Sequence, residues 1–414
     1  MDTRQNRVYF PGLNGLRFLA AFAVIITHIE LMKKYFGLGH LWEDSGQKIT
    51  TFPLDQILEG KLNMFQPLVS DAGPLGVTFF FVLSGFLITY LLQAEKQQTG
   101  HIAIKKFYLR RILRIWPLYF LILILGFLVL PNLGDWFYVR EQSEALTDHY
   151  WLNLLLYIFI FPNLAYSITG AAVPCIGQSW SIGVEEQFYL LWPVLIKFAK
   201  KPVNVVLGAT AVLVVIKALV LLAWMGYTTP PEWLRIVKEF MAMSKLECMT
   251  IGGAGAWLLF NKRDSLMSVV SHRSVELGAY AGVLALLYLT PAMIQDGVHV
   301  LYGVLFLVII LNISCNPRSV FKLEGPRWNF LGKVSYGLYM YHLIIIVGAL
   351  YFLQDVMGAQ GDLSLVQNLS LYVGVIGLTI FISHLSYQFI ERPFILSKSR
   401  HQRVISGEDA RSES

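Results

Sequence analysis

Arg17 and His28 stand eleven positions apart in one apolar run that begins Gly12-Leu13-Asn14-Gly15-Leu16. On a helix, at about 100° per residue, they differ by only about 20° in azimuth and lie about 16 Å apart along the axis. They therefore share a face. Ionisable side chains at membrane depth are costly and by default mark function. Each has a plainer reading: Arg17 as a snorkelling anchor at the membrane edge, His28 as a buried, hydrogen-bonded histidine. Their placement on one face favours a common task. Asn14 is expected to act as the N-cap of this helix.

Further segments carry residues of the same kind. Ser84-Gly85 falls inside a second apolar run, where a small pair lets another backbone approach closely. Arg111 and Arg114 are three apart and face one way on a helix. Their guanidinium forks suit phosphates, and the plain alternative is a topology anchor. The segment Trp180-Ser181-Ile182-Gly183-Val184-Glu185-Glu186 opens another run. Its carboxylates either complement the helix dipole or orient a histidine or an acceptor hydroxyl. Ser335, Tyr339 and His342 recur at helical spacing, and Glu391-Arg392-Pro393 follows the last run, where proline is a normal stop. Lys217 and Glu247, both in apolar surroundings, are expected to pair with each other.

The elements that must hold these residues are membrane helices. Of 414 residues, 55% are hydrophobic and only 14% charged, where a soluble domain carries about 25% charged residues. The net charge of +6 does not point to nucleic acid, because the basic residues fall in short runs between apolar segments. Cys175, Cys248 and Cys315 form no metal or redox spacing, and no metal site is expected. No cleavable signal peptide is evident.

A span needs roughly 20 apolar residues. Spans are expected at about 17–36, 75–94, 115–131, 185–199, 203–226, 237–260, 275–293, 298–314, 334–354 and 367–390. The stretch 152–164 is too short and is expected to be re-entrant or interfacial. With that count the basic loops, such as Lys105 to Arg114 and Lys262 to Arg273, all fall in the cytoplasm, together with both termini. The expected fold is thus an all-α polytopic membrane protein of about ten transmembrane helices. It occupies residues 1–396, followed by a polar, disordered tail at 397–414, with no repeat and no appended soluble domain.

Taken in order, these segments resemble the acyltransferase-3 family of integral membrane acyltransferases, which O-acetylate O-antigen, exopolysaccharide and related surface glycans. The resemblance covers about residues 7–396. It rests on Arg17-x10-His28, Phe80 to Phe86, Arg111-x2-Arg114, Trp180-Ser181 with Glu185 to Tyr189, Ser335-Tyr336 with Tyr339 and His342, and Glu391-x-Pro393. Family members usually have Asp where this chain has Asn14, so no mechanism that needs a carboxylate there transfers to it.

The resemblance implies acyl transfer, most often of acetyl, from cytoplasmic acyl-CoA to a hydroxyl of a cell-surface or lipid-linked glycan on the outer side of the plasma membrane. Acetyl-CoA would be a substrate, with no permanently bound cofactor and no nucleic-acid partner. His28, His342, Glu185 and Glu186 would form the catalytic set. His28 would be either general base or an acyl-imidazole relay. Arg17, Arg111 and Arg114 would hold CoA at the inner surface, and the glutamates would lie near the outer face. Asn14, Ser84, Gly85, Trp180, Ser181, Ser335, Tyr339 and Glu391 would support them. The rival reading is a transporter or flippase of a polar substrate, which also places ionisable groups at membrane depth.

Overall fold

The computed structural model describes residues 7–39, 57, 64–290, 295–399 and 405–406. Among them the fold is helical. The only strands are Arg7–Val8 and Ile405–Ser406, paired in parallel. The first part comprises α1 (Leu13–Tyr35), α2 (Gln66–Thr99), α3 (Ile104–Ile124), α4 (Arg140–Asp148), α5 (Tyr150–Ile158), α6 (Pro162–Thr169) and α7 (Ser179–Phe198). Then come α8 (Pro202–Met225), α9 (Glu232–Ser244), α10 (Leu246–Phe260), α11 (Asp264–Val270), α12 (Arg273–Leu289) and α13 (Gln295–Cys315). The last four are α14 (Pro326–Lys333), α15 (Ser335–Tyr351), α16 (Leu365–Ser386) and α17 (Arg392–Ser399).

Seven helical stretches among the described residues are long and apolar enough to cross a membrane, which makes this a multi-pass membrane protein. They coincide with the expected spans at 17–36, 75–94, 115–131, 203–226, 298–314, 334–354 and 367–390. The other three differ. The expected span 185–199 lies within α7, whose apolar run is interrupted by Glu185, Glu186 and Lys197. The span 275–293 is the shorter α12, and residues 291–294 lie outside the described ones. The span 237–260 is not one helix. The backbone leaves helical geometry at Lys245, and α9 before it carries Glu232, Arg235, Lys238 and Glu239. Four charges in 13 residues make a solvated, amphipathic helix rather than half a span. The stretch 152–164 is divided between α5 and α6, with Ile160 in the left-handed region (φ 64°) just before Pro162.

Two expectations about helix ends are corrected. Asn14 is not an N-cap: α1 starts at Leu13 after Gly12, whose left-handed backbone (φ 76°) ends the preceding turn. Pro393 does not stop the last helix. A widened turn at Tyr387–Glu391 leads directly into α17, and the proline lies just after it within a continuous helix. The helix runs on to Ser399, so the first residues of the expected tail are helical, while 400–404 and 407–414 lie outside the described residues.

The core is built by α1, α2, α10 and α15. Glycine makes the tightest crossing possible. A Cβ at Gly85 would overlap the backbone of Met249, and one at Gly252 would overlap the carbonyl of Val82. Such approach is how apolar helices associate without help from water. At the far end of α2, Lys96 Nζ donates to the carbonyls of Ile196, Lys197 and Ala199 at 3.3, 3.0 and 3.0 Å. That satisfies the orphan carbonyls of α7. Lys96 thereby fixes the depth of α7 against α2. By contrast α8 is buried over only 6% of its apolar window. Its Lys217 pairs with Glu247 of α10 at 2.6 Å, as the sequence leads one to expect.

Candidate active site

Arg17 of α1, Ser84 of α2, Arg111 and Arg114 of α3, Ser181 and Glu185 of α7 and Ser335 and Tyr339 of α15 line a single cavity of about 110 Å³. They come from five separate helices, so only the packed bundle assembles them. Glu185 is held from two sides. Ser84 Oγ donates to Oε1 at 2.8 Å, and Tyr189 OH donates to Oε2 at 3.0 Å. Arg111 lies 5.6 Å from the centre of the Phe107 ring and 5.5 Å from that of Tyr189. Those rings hold the guanidinium by cation–π attraction and leave its fork for a partner. Arg110 is turned away into an ion pair with Glu95 at 3.2 Å. In the lining itself three arginines face one carboxylate, with Glu186 near Arg111 and Glu391 near Arg114 behind it, and guanidinium forks set in a narrow slot suit a phosphate-bearing chain.

The glutamates do not stand at the opposite face from the arginines, as the sequence suggests. Ser84 and Glu185 each lie twelve residues before the lysine that marks their helix end, Lys96 and Lys197. The site is therefore sunk about 18 Å from that end. Glu186, one position on, points elsewhere and accepts from Trp116 Nε1 at 3.3 Å. Glu391 is buried beside Ser386, whose Oγ donates to it at 3.5 Å.

A second cavity, of about 400 Å³, meets the first at Val77 and Tyr339. His28 lines it. His28 Nδ1 is 2.8 Å from the carbonyl of Val24 and 3.3 Å from His342 Nε2. A carbonyl can only accept, so Nδ1 carries the hydrogen, and Nε2 is the basic nitrogen left to the cavity. His342, fully buried, is fixed in the same way by the Tyr339 carbonyl at 2.8 Å from its Nδ1. Its Nε2 lone pair therefore faces His28. Thr27 holds the neighbouring turn. Its hydroxyl donates to the Val69 carbonyl at 2.6 Å and accepts from the Gly73 N–H at 2.7 Å. It is thus inserted between two groups that an uninterrupted helix pairs directly.

A family model described as an acyltransferase domain (Acyl_transf_3) matches residues 10–387. The chain belongs to this acyltransferase family. Among curated proteins it is 26% identical over 414 aligned residues to the peptidoglycan O-acetyltransferase OatA of Listeria monocytogenes, covering 94% of this chain and 56% of the relative. It is 28% identical to O-acetyltransferase OatA of Staphylococcus aureus strain NCTC 8325, covering 93% and 57%. A putative O-acetyltransferase of S. aureus strain COL is 27% identical with the same coverage. The chain thus spans a little over half the length of the curated relatives it matches. No solved structure matches. None of these relatives is a transporter by name, and the transporter reading is not favoured.

In this family member the residues singled out in the sequence fall in different places. Arg17, Ser84, Arg111, Arg114, Ser181, Glu185, Ser335 and Tyr339 share the first cavity; His28 and Trp180 line the second. His342 stands behind His28. Asn14 lies beside the arginines without capping anything: Arg17 Nη1 donates to its Oδ1 at 3.5 Å, and its Nδ2 donates to Asn329 Oδ1 at 3.2 Å. Gly85 serves the α2–α10 crossing, and Glu186 lies outside the cavity lining on Trp116. Sequence reasoning did not single out Tyr189 and Tyr336 as site residues, although both line the first cavity. Nor did it find Asp71, Lys245 and His299, which line the second. Asp71 and His299 stand at the edges of apolar runs, where they look like boundary markers, and Lys245 is a single charge inside an expected span.

Proposed function

We propose that this chain transfers an acetyl group from acetyl-CoA at the cytoplasmic side to a hydroxyl of a cell-envelope glycan, working in the plasma membrane. Peptidoglycan is the acceptor that the Listeria relative's name supplies. The observation that carries the reading is the His28–His342 pair at the junction of a basic slot and a wider chamber. Arg17, Arg111 and Arg114 bind the CoA phosphates, and the thioester arm reaches past Tyr339 toward His28. His28 Nε2 takes the proton of the acceptor hydroxyl as its oxygen bonds to the thioester carbonyl carbon. The carbon–sulfur bond then breaks, and the departing CoA thiolate takes that proton from the imidazolium. His342 acts through His28: its lone pair and the Val24 carbonyl stabilise the Nδ1–H of the cation. Glu185, fixed by Ser84 and Tyr189, balances part of the arginine charge.

The test uses inverted membrane vesicles, radiolabelled acetyl-CoA outside them and soluble peptidoglycan fragments inside. The full chain should label the fragments. His28→Ala should reduce labelling by at least 10²-fold, within the range of a lost general base, with an unchanged amount of protein in the membrane. Labelling by His28→Ala close to that of the unaltered chain removes this mechanism.

A further inference from the structure

The second cavity carries chemistry that the donor does not need. At about 400 Å³ it lies in the range of roughly 300–1,000 Å³ typical of small-molecule sites, whereas the basic slot, at about 110 Å³, admits only a chain. Its wall away from His28 is polar. Lys245, 6% exposed, sits at the break between α9 and α10, and its Nζ donates to Thr78 Oγ1 at 3.4 Å. Thr78 in turn donates to the Pro74 carbonyl at 2.9 Å. His299 Nδ1 lies 3.3 Å from the same oxygen. Because the Thr78 hydrogen is already committed, His299 Nδ1 must be the donor, and its Nε2 is an acceptor. Asp71 stands on α2 one turn before this group. Pro74 has no N–H, so the Ser70 carbonyl lacks its helical donor there. The wall thus offers an ammonium, an imidazole acceptor, a carboxylate and a backbone carbonyl. Trp180 and Tyr302 add flat apolar faces.

Sugar hydroxyls both donate and accept, and a pyranose presents apolar carbon faces between them. A lining with donors, acceptors and aromatic planes, in which the Asp71 carboxylate offsets the Lys245 charge, fits such an uncharged ring better than it fits a phosphate. The depth agrees. Asp71 and Ser84 are 13 residues apart on α2, about 20 Å, with Asp71 lining the chamber and Ser84 the slot. His28 lines the chamber near the point where they meet. We propose that this chamber is the acceptor subsite and takes one sugar ring of the glycan, with Asp71, Lys245 and His299 reading its polar rim and Trp180 and Tyr302 its carbon face. The assignment rests on the acyl-transfer reading above.

The test measures KM for each substrate separately, using the full chain in membranes, acetyl-CoA and soluble peptidoglycan fragments. Asp71→Asn, Lys245→Gln and His299→Gln should each raise the KM for the fragments about tenfold or more, with the KM for acetyl-CoA unchanged. Lys245→Arg, which keeps the charge, should recover part of the loss. An unchanged fragment KM in all three variants overturns the assignment. So does a parallel rise in the KM for acetyl-CoA, which would mean that the residues serve the fold or the donor. Absence of transfer by the unaltered chain is a different result: it overturns the acyl-transfer reading, and this assignment with it, before any variant is made.

Discussion

Helices α2 and α8 are both long and apolar enough to cross a membrane, but 67% of the apolar window of α2 is buried inside the protein and only 6% of that of α8. The difference lies in what interrupts the apolar residues. Helix α2 carries Asp71, Gly73, Pro74, Gly76, Thr78, Ser84 and Gly85. These residues loosen its hydrogen bonding, admit neighbouring backbones and place polar groups at depth. Helix α8 is almost uninterrupted, and Lys217, its one charged residue beyond the first turn, is answered by Glu247. Apolar length therefore marks a helix that can span, whereas small and polar interruptions mark the helix around which the site is built.

The sharpest way to break this comparison is at the closest crossing. Gly85→Leu would drive side-chain atoms into the backbone of Met249, which no rotamer can relieve. It should abolish the monodisperse folded protein on size-exclusion chromatography in detergent. Recovery of folded, active protein would mean that α2 is not the tightly packed member of the pair. Next is the ion pair of α8. Lys217→Met strands the buried Glu247 and should cost about 3 kcal/mol, read as a lowered midpoint of thermal unfolding in detergent. Adding Glu247→Gln should restore most of it. A lone Lys217→Met with an unchanged midpoint would mean that the pair is idle. The Arg111→Ala, Arg114→Ala double variant should raise the KM for acetyl-CoA about tenfold or more without changing that for the acceptor. An unchanged donor KM would reduce these arginines to topology anchors. Smallest of all is Leu222→Ala on the exposed side of α8, where transfer activity should stay within about twofold. A large loss there would mean that α8 is not a passive, lipid-facing span.

Much of this arrangement was legible in the sequence. The spacing of Arg17 and His28 placed them on one face, and the apolar runs located the seven long helices. Lys217 and Glu247 could be paired because each was otherwise an unanswered charge. What could not be read was depth. Apolar runs and loop charge put Glu185 near the outer end of a span. The packed bundle instead brings Glu185 into one cavity with Arg17, Arg111 and Arg114, a neighbourhood that spacing along the chain does not show. The break at Lys245 was hidden for a similar reason: α9 and α10 join without a proline or a glycine, and the apolar count alone does not separate a solvated helix from half a span. Asn14 failed as a cap because Gly12 turns the chain one residue before Leu13, while Asn14 is drawn to Asn329 and Arg17.

The Thr27 hydroxyl, lodged between the Val69 carbonyl and the Gly73 N–H, has a consequence for which alleles of this protein can survive selection. Valine has nearly the same shape but neither donates nor accepts, so it would strand both backbone groups at once. Serine retains both functions with one methyl group fewer. A library randomised at codon 27 and selected for glycan acetylation should therefore return serine and threonine and be depleted of valine, although valine is the closest match in volume.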